Sequence, residues 1–310
     1  MVAQFRPISL CNVVYKVISK MLSSRLKVIL PDMISHHQSA FIPGRLITDN
    51  ILLAYECIHT MKKKKGKRGL CAVKLDMHKA YDRVEWNFLE RIMIKMGFDR
   101  RWVKLIMACV TSVKYKVRFN STETDMITPI RGLRQGDPLS PYLFLFVAEG
   151  LSCMLKGAEE RGEIKGVKVC REAPTISHLL FGDDSLILMH ADRKNADCLA
   201  DILHRYCVNS GQKVSEAKSS IYFSNNTEVN TKLEVCESLN IMTETLSDKY
   251  LGLQAMVGAD RSDCFRHLID RVNSRINGWK EKLLSMAGKE ILIKSIAQVV
   301  PVYAMMVRQN

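Results

Sequence analysis

The chain has 310 residues, 47% of them hydrophobic, which excludes a disordered polypeptide and predicts two or three subdomains built on one large core or two smaller ones. Lys and Arg number 46 against 32 Asp and Glu, and the formal charge of +14 favours a polyanionic partner, with nucleic acid first and an anionic membrane surface second. Ten scattered cysteines without a C-x-x-C pair argue against zinc and against a disulfide framework, and no apolar run approaches the ~20 residues of a bilayer span, so an intracellular protein of cytoplasm or nucleus is expected, with no membrane partner.

In chain order, Val14, Ile18, Leu22, Leu26 and Leu30 recur at helical spacing and predict an amphipathic helix from Asn12 to Leu30, ended by Pro31. A second helix is expected from Thr48 to Met61. It runs into the basic stretch Lys62, Lys63, Lys64, Lys65, Gly66, Lys67 and Arg68, too charged to pack, which reads as a solvated loop, a targeting signal or a phosphate contact. Leu70 to Asp76 reads as a strand and Val84 to Met96 as a helix, and Trp102, Leu105, Ile106, Cys109 and Val110 form the face of another. Tyr115, Val117 and Phe119 alternate as in a half-buried strand. Ser140 followed by Pro141 predicts an N-cap and first turn. Two apolar runs, Ser177 to Phe181 and Ser185 to Met189, flank Gly182, Asp183 and Asp184 as in a tight hairpin. A helix from Asn195 to Asn209, closed by Gly211, leads to a strand from Ser220 to Ser224. The order strand, helix, two strands, helix, strand is that of a split ferredoxin-like unit. From Arg261 to Val300 helical patterns broken near Gly278 and Gly288 predict a separate helical subdomain ending near Pro301.

The paired acids at the hairpin tip are the sharpest anomaly, because unit charges ~4 Å apart repel by about 4 kcal/mol at an effective dielectric near ~20. A cation belongs there. Asp76 ends a strand, and if that strand neighbours the hairpin, three carboxylates converge on one sheet edge. Such oxygen donors suit magnesium, and two ions ~3.5–4 Å apart activate a hydroxyl and steady a leaving pyrophosphate. An acidic turn beside an unrelated strand-end aspartate is the bland alternative on these residues alone.

Several motifs in one order carry a resemblance. Val73, Lys74, Leu75 and Asp76 with Lys79, Ala80, Tyr81 and Asp82, then Gly132 to Pro141, then Phe181, Gly182, Asp183 and Asp184, resemble three consecutive reverse transcriptase motifs. Upstream, Phe5 to Leu10 and Gln38 to Arg45 resemble the finger motifs of LINE-type, non-LTR retrotransposons. Gly211, Gln212 and Lys213 with Lys218 and Ser219, Tyr250 to Leu253, and Trp279 with Lys280 through Lys294 are similar to plant elements of this class.

The resemblance implies an α+β right-hand polymerase with partial fingers over 1–69, a ferredoxin-like palm over 70–255 and a helical thumb over 256–310. It implies template-directed addition of deoxynucleotides to a primer 3'-end, with an RNA template, a DNA or RNA primer and dNTPs as partners, and two Mg²⁺ ions, Mn²⁺ being an alternative. Asp76, Asp183 and Asp184 would hold the metal. Tyr81 would lie under the incoming sugar and exclude a 2'-hydroxyl, and Gln135 and Gly136 would line the nucleotide pocket. Arg6 and Arg45 would meet triphosphate or template phosphates, surface arginines being the other reading. Lys218 would protonate pyrophosphate, a surface lysine being its alternative, and Trp279 would pack the thumb.

The chain departs from the family pattern at Gly182, where alanine is usual and where glycine tolerates hairpin geometry, and at Gln254, where proline is commoner and a looser primer grip is implied. A fragment of a longer element is expected. An RNA-directed RNA polymerase is the rival that the Gly-Asp-Asp signature raises, and Tyr81 with Gln135 and Gly136 speaks against it. A degenerate or domesticated domain that binds RNA without catalysis is the rival outside enzymology.

Overall fold

The computed structural model describes residues 9–120, 122–244, 250, 251, 269–274, 277, 285–298 and 302. Strands β1 (Leu70–Leu75), β4 (His178–Phe181), β5 (Asp184–His190) and β6 (Ser220–Phe223) form one sheet in the order β4-β5-β1-β6. All three pairings are antiparallel. Helices intervene between β1 and β4 and between β5 and β6, so the expected split ferredoxin-like arrangement is the one observed. Strands β2 (Arg118–Phe119) and β3 (Thr122–Glu123) make a separate small ribbon.

Side-chain alternation along the strands builds the two layers. Cys71, Val73 and Leu75 of β1, with Ile187, Met189, Ile221 and Phe223, face the larger core, which is filled by α1 (Val13–Met33), α3 (Trp86–Lys95), α4 (Arg100–Thr111), α5 (Ser140–Glu160) and α6 (Arg193–Ser210). Leu70, Ala72, Leu186, Leu188 and Tyr222 point the other way, onto Ala54, Cys57, Ile58 and Met61 of α2 (Ile47–Lys63). With both faces covered, the central strands read as continuous apolar runs. Helix α7 (Val229–Leu239) closes the end of the unit, burying Val235 and Cys236. Burying each large aliphatic side chain contributes about 1.5–3 kcal/mol, which lets α1 and α2 dock on the sheet rather than stand apart from it.

Several expected boundaries move for identifiable reasons. Helix α1 continues through Pro31 to Met33, because Ile34 N still reaches Leu30 O at 3.0 Å and only the hydrogen bond that a proline cannot donate is lost. The stretch expected to be helical from Val84 opens instead with a 3-10 turn at Tyr81–Arg83, and α3 begins at Trp86. Glu85 N is drawn to Ser210 O at 2.9 Å, which holds the connection extended. Ser140 is the first helical residue of α5 rather than its cap; the cap is Leu139, which makes no side-chain cap bond and whose own N donates to Asp137 Oδ1 at 3.1 Å. On α4 the buried face includes Val103, and Leu105 is exposed. Gly288 lies inside the Met286–Leu292 helix instead of breaking it. Gly278, Trp279 and Pro301 lie outside the described residues, and so does most of the expected C-terminal helical region.

Candidate active site

The register places the acids. Leu75 of β1 pairs with Ser185 of β5, so Asp76, the residue that follows β1, lies at the same end of the sheet as Asp184, which opens β5. On the other side of β1, Lys74 pairs with Ser220, where β6 begins, and Lys218 ends the 3-10 turn Glu216–Lys218 shortly before it. Asp76 and Asp184 thus lie on either side of the last Leu75–Ser185 pair, at one end of the sheet. Hydrogen bonds tie Asp76 to the segment before β6: Asp76 N donates to Ser219 Oγ at 3.2 Å, Ser215 N to Asp76 O at 2.8 Å, and Lys218 N to Ser215 O at 3.1 Å. Strand alternation turns Asp184 to the α2 face with Leu186 and Leu188, whereas Asp183 sits in the two-residue loop of the β4–β5 hairpin.

That loop is possible because Gly182 has φ +64° while Asp183 does not share the left-handed region, as in a type II′ turn. A side-chain carboxamide grips it. Gln38, 1% exposed, accepts from Gly182 N at 3.0 Å and from Ala40 N at 2.9 Å through Oε1, and its Nε2 donates to Gly182 O at 3.4 Å. The Gln38 segment also lies along β4, with Leu180 N donating to His37 O and Ser39 N to Leu180 O. Behind the hairpin, Asn50 Nδ2 donates to Leu180 O at 3.0 Å and the buried Tyr250 hydroxyl donates to Asn50 Oδ1 at 2.8 Å. Burial, reinforced by the Asp184 charge, drives the Tyr250 hydroxyl pKa well above the ordinary tyrosine range.

Tyr81 lies on the Asp183 side. Its ring stacks on Phe144 with centroids 4.8 Å apart and 13° between planes, and burial, together with the Asp183 charge, pushes its pKa up to about 12. The Tyr81 turn is braced from two directions. Leu133 N donates to Tyr81 O and Gly132 N to Val84 O, both at 2.8 Å, which ties it to the loop carrying Gln135 and Gly136. A Cβ on Gly132 would stand 2.8 Å from Asp82 O and the residue has φ +96°, so glycine is required for this approach. From below, buried Gln212 Nε2 donates to Ala80 O at 2.8 Å and Arg83 Nε to Gly211 O at 2.8 Å.

The Gln135 loop is anchored in turn. Asp137, almost fully buried, accepts from Tyr15 Oη at 2.7 Å and from Ser19 Oγ, and Arg134 lies 3.8 Å over the Tyr15 ring while donating to Cys109 O at 2.8 Å. Gln135 O receives Ser9 N at 2.9 Å, leaving the carboxamide half exposed and Gly136 exposed with φ +94°. Arg45 is placed differently from a solvent-facing phosphate contact. Its Nη1 and Nη2 donate to the carbonyls of Ser35, Gln38, Pro31 and Ile34 at 2.5 to 3.1 Å, knitting the segment that presents Gln38. Arg6 and Gln254 lie outside the described residues. Gln38, Asn50 and Gln212 had drawn no role from the sequence, although the first and last stand inside motifs already noted.

The donor set fits hard cations: Asp76, Asp183 and Asp184 are carboxylates, all partly exposed, at one end of a sheet. Among the described residues no three or more His, Cys, Asp or Glu side chains close around an ion. An open arrangement of this kind is what magnesium uses when one or two carboxylates share it with substrate phosphates.

The four-stranded antiparallel sheet, with helices between β1 and β4 and between β5 and β6, has the palm topology of a right-hand polymerase fold. The sequence profile described as "Reverse transcriptase (RNA-dependent DNA polymerase)" matches residues 2–255, and the chain belongs to that family, whose members generally depend on divalent metal. Among its relatives, the "Transposon TX1 uncharacterized 149 kDa protein" of Xenopus laevis is 27% identical over 96% of this chain and 22% of its own length. The "Retrovirus-related Pol polyprotein from type-1 retrotransposable element R2" of Nasonia vitripennis is 30% identical over 60% of this chain and 17% of its own. The chain therefore spans about a fifth of these relatives. Among solved structures, an apo telomerase from Candida tropicalis, truncated from the C-terminal domain, aligns with a TM-score of 0.49 at 16% identity, over 69% of this chain and 41% of that one.

Proposed function

We propose that the chain is the polymerase core of a non-LTR retroelement protein, adding deoxynucleotides to a primer 3'-end on an RNA template. Support comes from the β1–β5 register, which brings the end of β1 that Asp76 follows beside Asp184 and the hairpin loop carrying Asp183. The three carboxylates would hold two Mg²⁺ ions, which when bound supply Lewis-acid polarisation of the primer hydroxyl and charge neutralisation on the triphosphate. Tyr81, fixed by Phe144 and by backbone bonds on both sides, presents a rigid surface under the sugar and leaves no room for a 2'-hydroxyl. Gln135 offers its carboxamide to the sugar or base, and Gly136 lets the nucleotide approach the backbone. Lys218 Nζ, exposed at the edge, donates a proton to departing pyrophosphate. Arg45 shapes the loop that supports the hairpin, and Arg6 is kept as a contact to triphosphate or template phosphates. The working division keeps fingers at 1–69, palm at 70–255 and thumb at 256–310.

Single-nucleotide primer extension on an RNA template with Mg²⁺ and dNTPs, set beside an Asp183→Asn variant, tests the reading. The wild-type chain extends, and the variant loses at least about 10³-fold in rate, roughly 4 kcal/mol of transition-state stabilisation, with an unchanged melting temperature. Binding of RNA without extension by the wild type would establish a non-catalytic domain instead, and preferential use of ribonucleotides would establish an RNA-directed RNA polymerase.

A further inference from the structure

The end of the sheet opposite the acids carries a second concentration of charge. Strand β1 is six residues long, so Leu70 lies ~20 Å from Asp76, and at that end the basic loop 62–68 meets the chain leaving α5 and the start of α6. Two grooves open there. One of about 400 Å³ is lined by Lys64, Lys165, Lys168 and His190, with Glu159 as its acid. The other, about 640 Å³, shares Lys165 and His190 and continues past Lys67, Arg68 and Lys194 toward an acidic wall at Glu228 and Glu234 on the α7 side.

The smaller groove is cationic in effect as well as in composition. Glu159 Oε2 already accepts from Ser177 Oγ at 2.6 Å, and Glu163 between the grooves is paired with Arg161 at 2.8 Å. Lys64, Lys165 and Lys168 are exposed and make no ion pair among the described residues. Burial lowers the His190 pKa, and Lys165, Lys64 and Arg68 push the same way against Asp192, which marks how closely these cations crowd. The framework is rigid. Asn226 Nδ2 donates to Gly66 O at 2.8 Å and to Arg68 O at 3.0 Å, Lys165 N donates to Asn195 Oδ1 at 2.7 Å, and His190 N to Lys165 O at 2.9 Å. Like charges held together on a fixed backbone repel unless a polyanion lies across them, so the crowding stabilises a phosphate-bearing partner and costs stability without one.

We propose that this end of the palm is a second nucleic-acid contact, separate from the catalytic edge, in which Lys64, Lys165 and Lys168 grip consecutive phosphates of a folded RNA or of a DNA duplex. The proposal takes nucleic acid as the partner from the polymerase reading, but it does not require the chain to be catalytic. It gives the lysine-rich loop a use that the nucleotide site does not.

The test is equilibrium binding of the whole chain to a stem-loop RNA and, separately, to a blunt DNA duplex over a range of salt, for wild type and for the triple variant Lys64→Ala, Lys165→Ala, Lys168→Ala. All three positions are exposed, and a melting curve checks that the variant folds. Each lost phosphate contact flattens the plot of log affinity against log salt by ~0.7–1, so the triple variant is flatter by about 2–3 and on the order of 100-fold weaker at about 0.1 M salt. The arm showing that change identifies RNA or DNA as the occupant. Single-nucleotide extension on a short primer–template stays within about twofold of wild type for a contact of this kind. Wild-type affinity and slope in both arms would overturn the proposal, and so would a loss confined to phosphatidylserine vesicles, which would make the surface a membrane contact. A wild type with lysine-dependent binding but no extension would sink the polymerase reading and leave this one standing.

Discussion

Replacing Gln38 by leucine isolates the grip on the hairpin that carries Asp183. The substitution keeps the side chain's approximate volume but removes one acceptor shared by two buried amides, at 3.0 and 2.9 Å, and one long donor contact at 3.4 Å. Each orphaned amide costs about 1–3 kcal/mol, so a total near 2–5 kcal/mol is expected, with a fall in melting temperature of about 2–4 °C per kcal/mol for a unit of this size. Glutamate restores the acceptor but not the donor, and it places a buried charge near Asp183 and Asp184. Gln38→Glu should therefore recover part of the stability while remaining catalytically impaired. Activity is read by single-turnover incorporation as a function of Mg²⁺ and of dNTP separately. Loosening the hairpin tip should lower kcat and raise the Mg²⁺ concentration needed for half-maximal rate, with the dNTP KM within about threefold, because Tyr81, Gln135 and Gly136 are held by other bonds. A leucine variant with reduced stability but wild-type kcat and Mg²⁺ response would refute the reasoning, leaving Gln38 a structural residue only.

Gly132→Ala should destabilise the fold by roughly 2–4 kcal/mol, since it combines a left-handed φ with a Cβ 2.8 Å from a backbone oxygen; thermal melting checks this, and an unchanged curve would mean that the loop re-routes. Tyr81→Val should reduce the dNTP-to-rNTP preference in kcat/KM at least about tenfold, as competition incorporation would show, and should also lose the Phe144 stack, worth about 0.5–1.5 kcal/mol. His178, held between Ser152 Oγ at 2.8 Å and Ser177 Oγ at 2.9 Å, has its pKa lowered to about 3 by burial, with His37 adding to the effect. The unfolded ring takes up a proton near ~6.5 and the folded one does not, so its contribution is full above that pH and is lost as pH falls toward 3, at up to about 1.4 kcal/mol per pH unit. Urea titrations from pH 7 to 4 should show a shallower pH dependence for His178→Asn than for wild type.

The sheet was legible because β1, β4, β5 and β6 are buried on both faces and therefore carry unbroken apolar runs between turn residues. Their alternation with helices gave the split ferredoxin-like arrangement, whereas the pairing of β1 with β5, on which the approach of Asp76 to the hairpin was conditional, is read from the register. What escaped were contacts made by side chains to the backbone of remote segments. Gln38 reaches Gly182, Asn50 reaches Leu180 and Gln212 reaches Ala80 across more than a hundred residues, and such bonds leave no periodicity to read. Arg45 shows the converse: an arginine in a recognised motif suggested phosphate, whereas its neighbours' carbonyl oxygens take its donors.

The strand of chain around Gln38 has a further effect, on how this molecule meets others. A four-stranded sheet ends in two margins of amide and carbonyl groups that invite strands from neighbouring molecules. Here β4 gives Leu180 N and O to His37 and Ser39, with Asn50 on the same carbonyl, and on the far side Ile221 N of β6 is taken by Thr243 O at 2.8 Å. Segments of the same polypeptide thus blunt both margins, and the loop that steadies the Gly182–Asp183 turn also makes edge-to-edge stacking of copies unfavourable.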